Sequence, residues 1–226
     1  NQVRLTRIKS SMRLRAPAIG RLLRINIPLF LRTLSLQVVF VSLSIFSARL
    51  GPDEASATGL FLVLLATAAY ALDGFANASE IEAGQSFGQQ NFDRFKCSLW
   101  AGVILSLITA IVVSILIAIF GESIISLLTH HPGVISKSVY ALEWFTAVVC
   151  ILCVSYWLDG VFIGLTRTLD MCIAMISATT VGWFGSIYIF GLSSLNELLF
   201  NFTLFSMIRT LMLGIFLPNA ITKVRN

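Results

Sequence analysis

The sequence predicts an all-α integral membrane protein with six transmembrane helices. Two observations lead to this prediction. Hydrophobic residues make up 57% of the 226 residues and charged residues only 12%, which lies outside the usual composition of soluble domains. Six apolar runs are also long enough to cross a bilayer, which takes about 20 residues of α-helix. We expect the spans at about residues 25–48, 57–83, 97–120, 140–165, 171–190 and 198–217.

A basic segment precedes the first span. Residues 1–24 contain seven basic side chains and no acidic one: Arg4, Arg7, Lys9, Arg13, Arg15, Arg21 and Arg24. Such a flank beside a transmembrane helix is typical of the cytoplasmic side, and binding to lipid headgroups is a second interpretation. The net charge of +5 is concentrated in this flank, so we do not predict a nucleic-acid partner.

The first span contains one charge at depth. Pro28 is expected in the first helical turn, where its missing N–H does no harm. Arg32 lies deeper, and either snorkels to the interface or pairs with a carboxylate of another helix. A loop at Arg49–Ser56, with a turn at Gly51 and Pro52, is predicted to follow.

The second span contains the main candidate site. Asp73, Asn77 and Glu80 are spaced four and three residues apart, which places them on one helical face. Ionisable groups inside a membrane normally face a bundle interior or a wet cavity. Asp73 is expected near the midplane and Glu80 nearer the inner interface. Tyr70, one turn before Asp73, offers a ring to an organic cation.

The connections around the third span predict interfacial segments. Phe87–Lys96 mixes aromatic and charged residues, as expected at headgroup depth. The third span is predicted to end at Gly121. A loop at Glu122–Lys137 follows, with a short interfacial helix before the solvated turn at His130 and His131.

The last three spans supply two further charges. Asp159 in the fourth span lies at a depth similar to that of Arg32, so the two are candidates for an ion pair. Gly160 and Gly164 have the spacing that favours close helix contact. Arg209 lies inside the sixth span and is an ion-pair candidate. If Asp73 has a structural role instead of a binding role, Arg209 is a possible partner for it. A tail is expected after Pro218.

The sequence offers no pattern of an enzyme. Cys150 and Cys153 form a C-x-x-C inside an apolar helix without a second pair, which indicates packing rather than a zinc site. Nucleotide-binding and hydrolase signatures are missing from the printed sequence. We expect no catalytic residue, no metal and no organic cofactor.

Three strings resemble the multidrug and toxin extrusion (MATE) family of transporters, and within it the DNA-damage-inducible protein F (DinF) branch. The strings NIPLFLRTLSLQ, AYALDGFANASEIEAGQSFGQ and YWLDGVFIGLTR are similar to the seventh, eighth and tenth helices of that family. The resemblance runs from Arg24 to about Asn226. It implies one lobe of a twelve-helix antiporter, with residues 1–24 as the basic cytoplasmic linker and residues 25–226 as the C-terminal six-helix lobe.

The resemblance also implies a function. We expect the C-terminal half of an antiporter that extrudes organic cations or lipophilic drugs in exchange for H⁺ or Na⁺ across the inner (plasma) membrane. It would act with an N-terminal lobe or a second copy. Substrate or coupling-ion binding is assigned to Asp73, Asn77, Glu80, Tyr70 and Asp159, with Arg32 and Arg209 as ion-pair candidates. A lipid-linked oligosaccharide flippase and a truncated, non-transporting remnant are the alternatives.

The distribution of basic residues predicts the orientation in the membrane. Six spans place both termini on one side, and the cytoplasmic side then collects the basic flank with Arg94 and Arg167, whereas Lys137 lies outside. Single cysteines at positions 94, 137 and 167, in a background without the native cysteines, test this. In intact cells, a membrane-impermeant thiol reagent should label position 137 only. Labelling of positions 94 and 167, but not 137, would reverse the orientation.

Overall fold

The computed structural model describes residues Ala16–Arg225, and six long helices make up almost all of this part of the chain. Each of the six is long and apolar enough to cross a membrane. The predicted fold class is therefore confirmed. The helices are α1 (Ala16–Leu50), α2 (Pro52–Gly88), α3 (Phe92–Leu128), α4 (Pro132–Gly164), α5 (Thr168–Phe190) and α6 (Leu195–Arg225).

The first helix begins earlier than expected. It is already helical at Ala16, so part of the segment assigned to the linker is the start of α1, and residues 1–15 lie outside the described residues. The prediction that Pro28 occupies the first turn is wrong, because Pro28 lies inside the helix. Proline removes one backbone hydrogen bond at this point, and the apolar length on either side keeps the helix continuous.

The loop predicted at Arg49–Ser56 is reduced to one residue. Only Gly51 separates α1 from α2. Its φ of 156° is a backbone conformation that residues with a side chain rarely adopt. Pro52 suits the first position of a helix, and Asp53 and Glu54 in the first turn match the positive end of the helix dipole. The next helix therefore starts at once.

The prediction of a loop at Glu122–Lys137 is also wrong. Helix α3 runs through Gly121 to Leu128, and only Thr129–His131 separates it from α4. Gly121 is a packing position rather than a helix end, because a Cβ there would lie 2.7 Å from the Leu142 side chain. The interfacial helix expected before the two histidines is the end of α3.

Helices α5 and α6 also depart from simple spans. The middle of α5, Ala178–Gly185, is π-helical, between α-helical Thr168–Ser177 and Ser186–Phe190. Here Trp183 is fully buried and donates a hydrogen bond of 2.7 Å from its Nε1 to Ser42 Oγ on α1. Helix α6 continues past Pro218, so the tail predicted after this residue is helical as far as Arg225.

The helices alternate in direction, which brings their ends together in two groups. At one end, Lys137 Nζ on α4 lies 2.9 Å from Glu54 Oε1 on α2. Nearby, the Tyr140 hydroxyl hydrogen-bonds to the Oδ1 of Asn196 over 3.0 Å. Arg94, at the start of α3, and Arg167, between α4 and α5, lie at the opposite end. Lys137 is thus separated from Arg94 and Arg167, as the orientation prediction requires.

Glycines bring α2 and α4 into backbone contact. A Cβ at Gly160 would overlap the carbonyl oxygen of Ala76, and a Cβ at Gly164 would overlap the carbonyl oxygen of Glu80. The close approach predicted from the Gly160 and Gly164 spacing is confirmed. It fixes the rotation of α2 and thereby directs the polar face of α2 toward α4.

The Gly160→Ala variant tests this contact. Its Cβ has no room beside the α2 backbone, and overpacking of this kind costs about 1–3 kcal/mol. We expect a lower midpoint of thermal unfolding in detergent. Gly74→Ala on α2 is the matched control, because a Cβ there meets nothing within 4 Å. Equal midpoints for the two variants would contradict the contact.

Candidate functional site

One carboxylate at the centre of the lobe joins three helices. The Oδ2 of Asp159 on α4 accepts hydrogen bonds from the Nη2 atoms of Arg32 on α1 and Arg209 on α6. The side chains of Arg209 and Asp159 are only 3% and 6% exposed. The pairing of Arg32 with Asp159 is confirmed, and of the two interpretations of Arg32 the ion pair is correct.

This ion trio, Arg32, Asp159 and Arg209, is incompletely satisfied. Two guanidinium groups share one carboxylate, so the trio has a net charge of +1. The Oδ1 of Asp159 and the Nε of Arg209 are both buried, and neither has a hydrogen-bond partner among the described residues. Buried polar atoms are normally paired, so the trio keeps one unsatisfied acceptor and one unsatisfied donor within Ala16–Arg225.

A small charged cavity lies beside the trio. Its volume is about 210 Å³, and all three trio residues line it. Asp73, Asn77 and Glu80 line the same cavity from α2, which confirms that they share one face. The cavity therefore collects five charged side chains from four helices.

The two carboxylates that α2 contributes to the cavity, Asp73 and Glu80, differ from Asp159 in their partners. Within Ala16–Arg225 the ion pairs include neither Asp73 nor Glu80. The alternative in which Arg209 is a structural partner of Asp73 is not what the structure shows, because the Nη2 of Arg209 bonds to Asp159. Asp73 is half-buried, and it faces the cavity without a fixed cation.

Tyr70 lies apart from this set. It is 78% exposed, and it lines a second, larger cavity of about 650 Å³ between α1 and α2. The structure thus separates Tyr70 from Asp73, although only two residues lie between them in the sequence. Residues three apart on a helix differ by about 60° around the axis and about 4.5 Å along it, and here the two side chains line different cavities.

Sequence reasoning missed Tyr156, which lies between the two cavities. Its side chain lines both, as do those of Leu36 and Arg209. The Cζ of Arg209 lies 5.7 Å from the centroid of the Tyr156 ring, within the range of a cation–π contact. Tyr156 precedes Asp159 by three residues, so the i, i+3 spacing was the signal that could have found it.

Comparison with known proteins adds the family. A family model described as MatE matches residues 28–188. This range covers most of α1, all of α2, α3 and α4, and nearly all of α5. It therefore includes every charged residue of the cavity except Arg209. The chain belongs to the MatE family.

A curated relative supports the same assignment. The DNA damage-inducible protein F of Escherichia coli (strain K12) is 35% identical over 176 residues. The match covers 74% of this MatE chain and 38% of that protein. This relative bears the name of the branch that the sequence strings resemble, so it supports both the expected family and the expected branch.

Solved structures show the same fold. The eukaryotic MATE transporter AtDTX14 superposes with a TM-score of 0.80 at 17% identity, over 92% of this chain and 49% of that chain. A MATE structure in the straight conformation gives a TM-score of 0.83 at 16% identity, over 93% of this chain and 48% of that chain. This MatE chain thus spans about half the length of the solved transporters that it matches.

Removal of the Asp159 charge tests the ion trio. In Asp159→Asn the two arginines lose their shared anion, and breaking a buried ion pair costs about 3–5 kcal/mol. We expect a strongly lowered unfolding midpoint in detergent. The exposed Asp93→Asn on α3 is the control and should leave the midpoint unchanged.

Replacing the whole trio distinguishes its charge from its volume. The variant Arg32→Met, Asp159→Leu, Arg209→Met removes all three charges together, which is often neutral for a buried ionic group. It should recover most of the stability lost in Asp159→Asn. A single Asp159→Asn variant as stable as the control would show that the trio does not hold the helices together.

Proposed function

We propose that this chain is the C-terminal half of a MATE-type antiporter that exchanges organic cations for H⁺ or Na⁺. The observation that supports this most directly is the charged cavity, in which Asp73 and Glu80 of α2 have no ion-pair partner within Ala16–Arg225. Ionisable groups inside a membrane are costly and mark transport sites.

The neighbouring charges give Asp159 a different role from Asp73 and Glu80. Asp159 is held by two arginines, so a cation that binds to it must first displace a guanidinium group. Asp73 and Glu80 have no such competitor within the described residues. Arg32 and Arg209 contribute +2 and the three carboxylates −3, so the fully ionised cavity has a net charge of −1. One organic cation or one H⁺ or Na⁺ would neutralise it.

Exchange follows from this single excess charge. A low-dielectric cavity favours the neutral state, and a coupling ion and an organic cation each supply one positive charge. The two therefore compete for the same state, which is the requirement for antiport. Asp73 is the first candidate, because it is half-buried and lies on the α2 face that the Gly160 contact directs toward α4.

Transport requires a second lobe. Alternating access arises from the movement of one repeat against another, and this chain spans about half of the transporters that it matches. We therefore assign the activity to an assembly of this lobe with an N-terminal six-helix lobe or a second copy. The assembly would lie in the inner (plasma) membrane, with both termini of this lobe cytoplasmic.

The Asp73→Asn variant tests the role of the free carboxylate. It should abolish cation efflux from vesicles that contain the two-lobe protein, because the amide keeps the shape but cannot ionise. Losing a charged contact of about 1.5–3 kcal/mol corresponds to a loss of affinity of at least about tenfold. The unfolding midpoint should change little, since Asp73 has no ion-pair partner within Ala16–Arg225.

Asp93→Asn is the control for this variant as well, because Asp93 is exposed and lines neither cavity. It should transport like the unaltered protein. Normal efflux in Asp73→Asn would remove this residue from the mechanism and leave Glu80 as the better candidate.

A further inference from the structure

The π-helical segment of α5, Ala178–Gly185, departs from the α-helical backbone on both sides of it. An α-helix bonds each N–H to the carbonyl four residues earlier, whereas a π-helix uses the carbonyl five residues earlier. The segment therefore contains one residue more than an α-helix would place between the same two ends. π-Helical backbone is rare, and it occurs frequently at functional sites.

Side-chain hydroxyls stabilise the irregular backbone of this segment. The Oγ1 of Thr180 donates a hydrogen bond of 2.8 Å to the carbonyl of Ile176. The Oγ of Ser186 donates to the carbonyls of Gly182 and Trp183 over 2.6 and 2.9 Å. Hydroxyls that bond to helix carbonyls compete with the regular backbone bonds. The π-helical form thus depends on side chains as well as on the backbone.

Trp183 connects the segment to α1 and α6. Its ring is fully buried, and its Nε1 donates a hydrogen bond of 2.7 Å to the Oγ of Ser42 on α1. Ser42 uses its own hydrogen for the carbonyl of Val39 over 2.9 Å, which leaves its oxygen to accept from Trp183. The ring also packs edge-on against Phe202 of α6, with the centroids 6.4 Å apart. One side chain of the π-helical segment therefore holds α1 against α5.

The π-helical form is not fully satisfied, and the end of α5 that follows it is held by few contacts. The Oγ1 of Thr179 is buried and has no hydrogen-bond partner among the described residues. After the segment, α5 has only the five residues Ser186–Phe190, in which Tyr188 is 92% exposed. Gly191 then adopts a φ of 79°, which glycine tolerates without strain. A rotation of this short end therefore disturbs little packing.

Conversion of the segment to α-helix would turn this C-terminal end rather than the N-terminal one. The preceding part, Thr168–Ser177, is anchored in the core by the buried side chains of Met171 and Met175. One residue of α-helix corresponds to about 100° of rotation and about 1.5 Å of rise. A change of this size moves the Nε1 of Trp183 out of reach of Ser42.

We propose that Ala178–Gly185 is a hinge with two forms. In the π-helical form Trp183 holds α1, and in the α-helical form α1 is released. Since α1 forms one wall of the larger cavity, its release lets that wall move relative to α2. None of the residues Ala178–Gly185 lines the charged cavity, so the hinge does not depend on the proposed cation exchange.

Fluorine NMR of 5-fluorotryptophan tests the hinge with the 226-residue chain in lipid nanodiscs. The chain contains four tryptophans, and the signal that is lost in Trp183→Phe identifies Trp183. This signal should show exchange between two environments on the μs–ms timescale, as helix register shifts do. Trp144 is the matched control, because its Nε1 also donates a hydrogen bond, of 3.0 Å to Asn196, from a regular α-helix. Its signal should show no exchange.

The Ser42→Ala variant should shift the equilibrium toward the α-helical form. Loss of one neutral hydrogen bond corresponds to about a two- to tenfold gain in the population of that form. Ser35→Ala is the control, because the Ser35 hydroxyl donates to the carbonyl of Leu31 within α1. Spin labels at the exposed positions Val38 on α1 and Val63 on α2 report on the cavity wall, in a background without the native cysteines. Their distance distribution should gain a second component in Ser42→Ala and stay unchanged in Ser35→Ala.

Deletion of Val181 should remove the hinge. Val181 is exposed, and without it an α-helix joins both ends of the segment with neither end rotated. Exchange at Trp183 should then disappear. Deletion of the equally exposed Ile173, which precedes the segment, is the control. It should lower the unfolding midpoint much more, because regular α-helix has no extra residue to lose.

The outcomes decide the proposal. Absence of exchange at Trp183 in both the unaltered chain and Ser42→Ala would overturn it. Equal exchange at Trp144 would show a motion of the whole lobe, and would overturn it as well. The same holds for exchange that persists after deletion of Val181, or for an unchanged distance distribution in Ser42→Ala. If the deletion variant does not fold, the comparison of Ser42→Ala with Ser35→Ala decides. None of these measurements involves cation efflux, so the hinge stands or fails independently of the antiport.

Discussion

The sharing of Asp159 between two arginines is the interaction on which the rest of the lobe depends. Arg32 and Arg209 come from α1 and α6, and both reach one oxygen of a carboxylate on α4. Charges at this depth are tolerated only when they are paired. Burial of Asp159 therefore requires that α1 and α6 keep both their depth and their rotation. The charged cavity exists because three helices are held around this oxygen, with α2 closing the fourth side.

Backbone contact provides the second constraint, and it acts on α2. Gly160 and Gly164 leave no space for a side chain between α4 and the carbonyl groups of α2. Gly160 directly follows the residue that binds the arginines, so one turn of α4 fixes the ion trio and the α2 contact together. Asp73 and Glu80 of α2 therefore lie beside the trio without forming an ion pair with it. Backbone packing thus fixes the position of Asp73 and Glu80. An ion pair could have fixed the same position, but it would have neutralised their charge.

The sequence was sufficient for features that depend on one helix, and for one contact between two helices. Apolar length predicted six helices, spacing predicted the shared face of Asp73, Asn77 and Glu80, and similar depth predicted the contact of Arg32 with Asp159. Helix ends were predicted less well. A glycine or proline ends a helix only where the packing around it does not favour a continued helix, and Gly121 and Pro28 both lie inside helices. The partner of Arg209 was not predicted, since the choice between Asp73 and Asp159 depends on the rotation of neighbouring helices. The larger cavity arises from a gap between α1 and α2, and a gap has no residue pattern of its own.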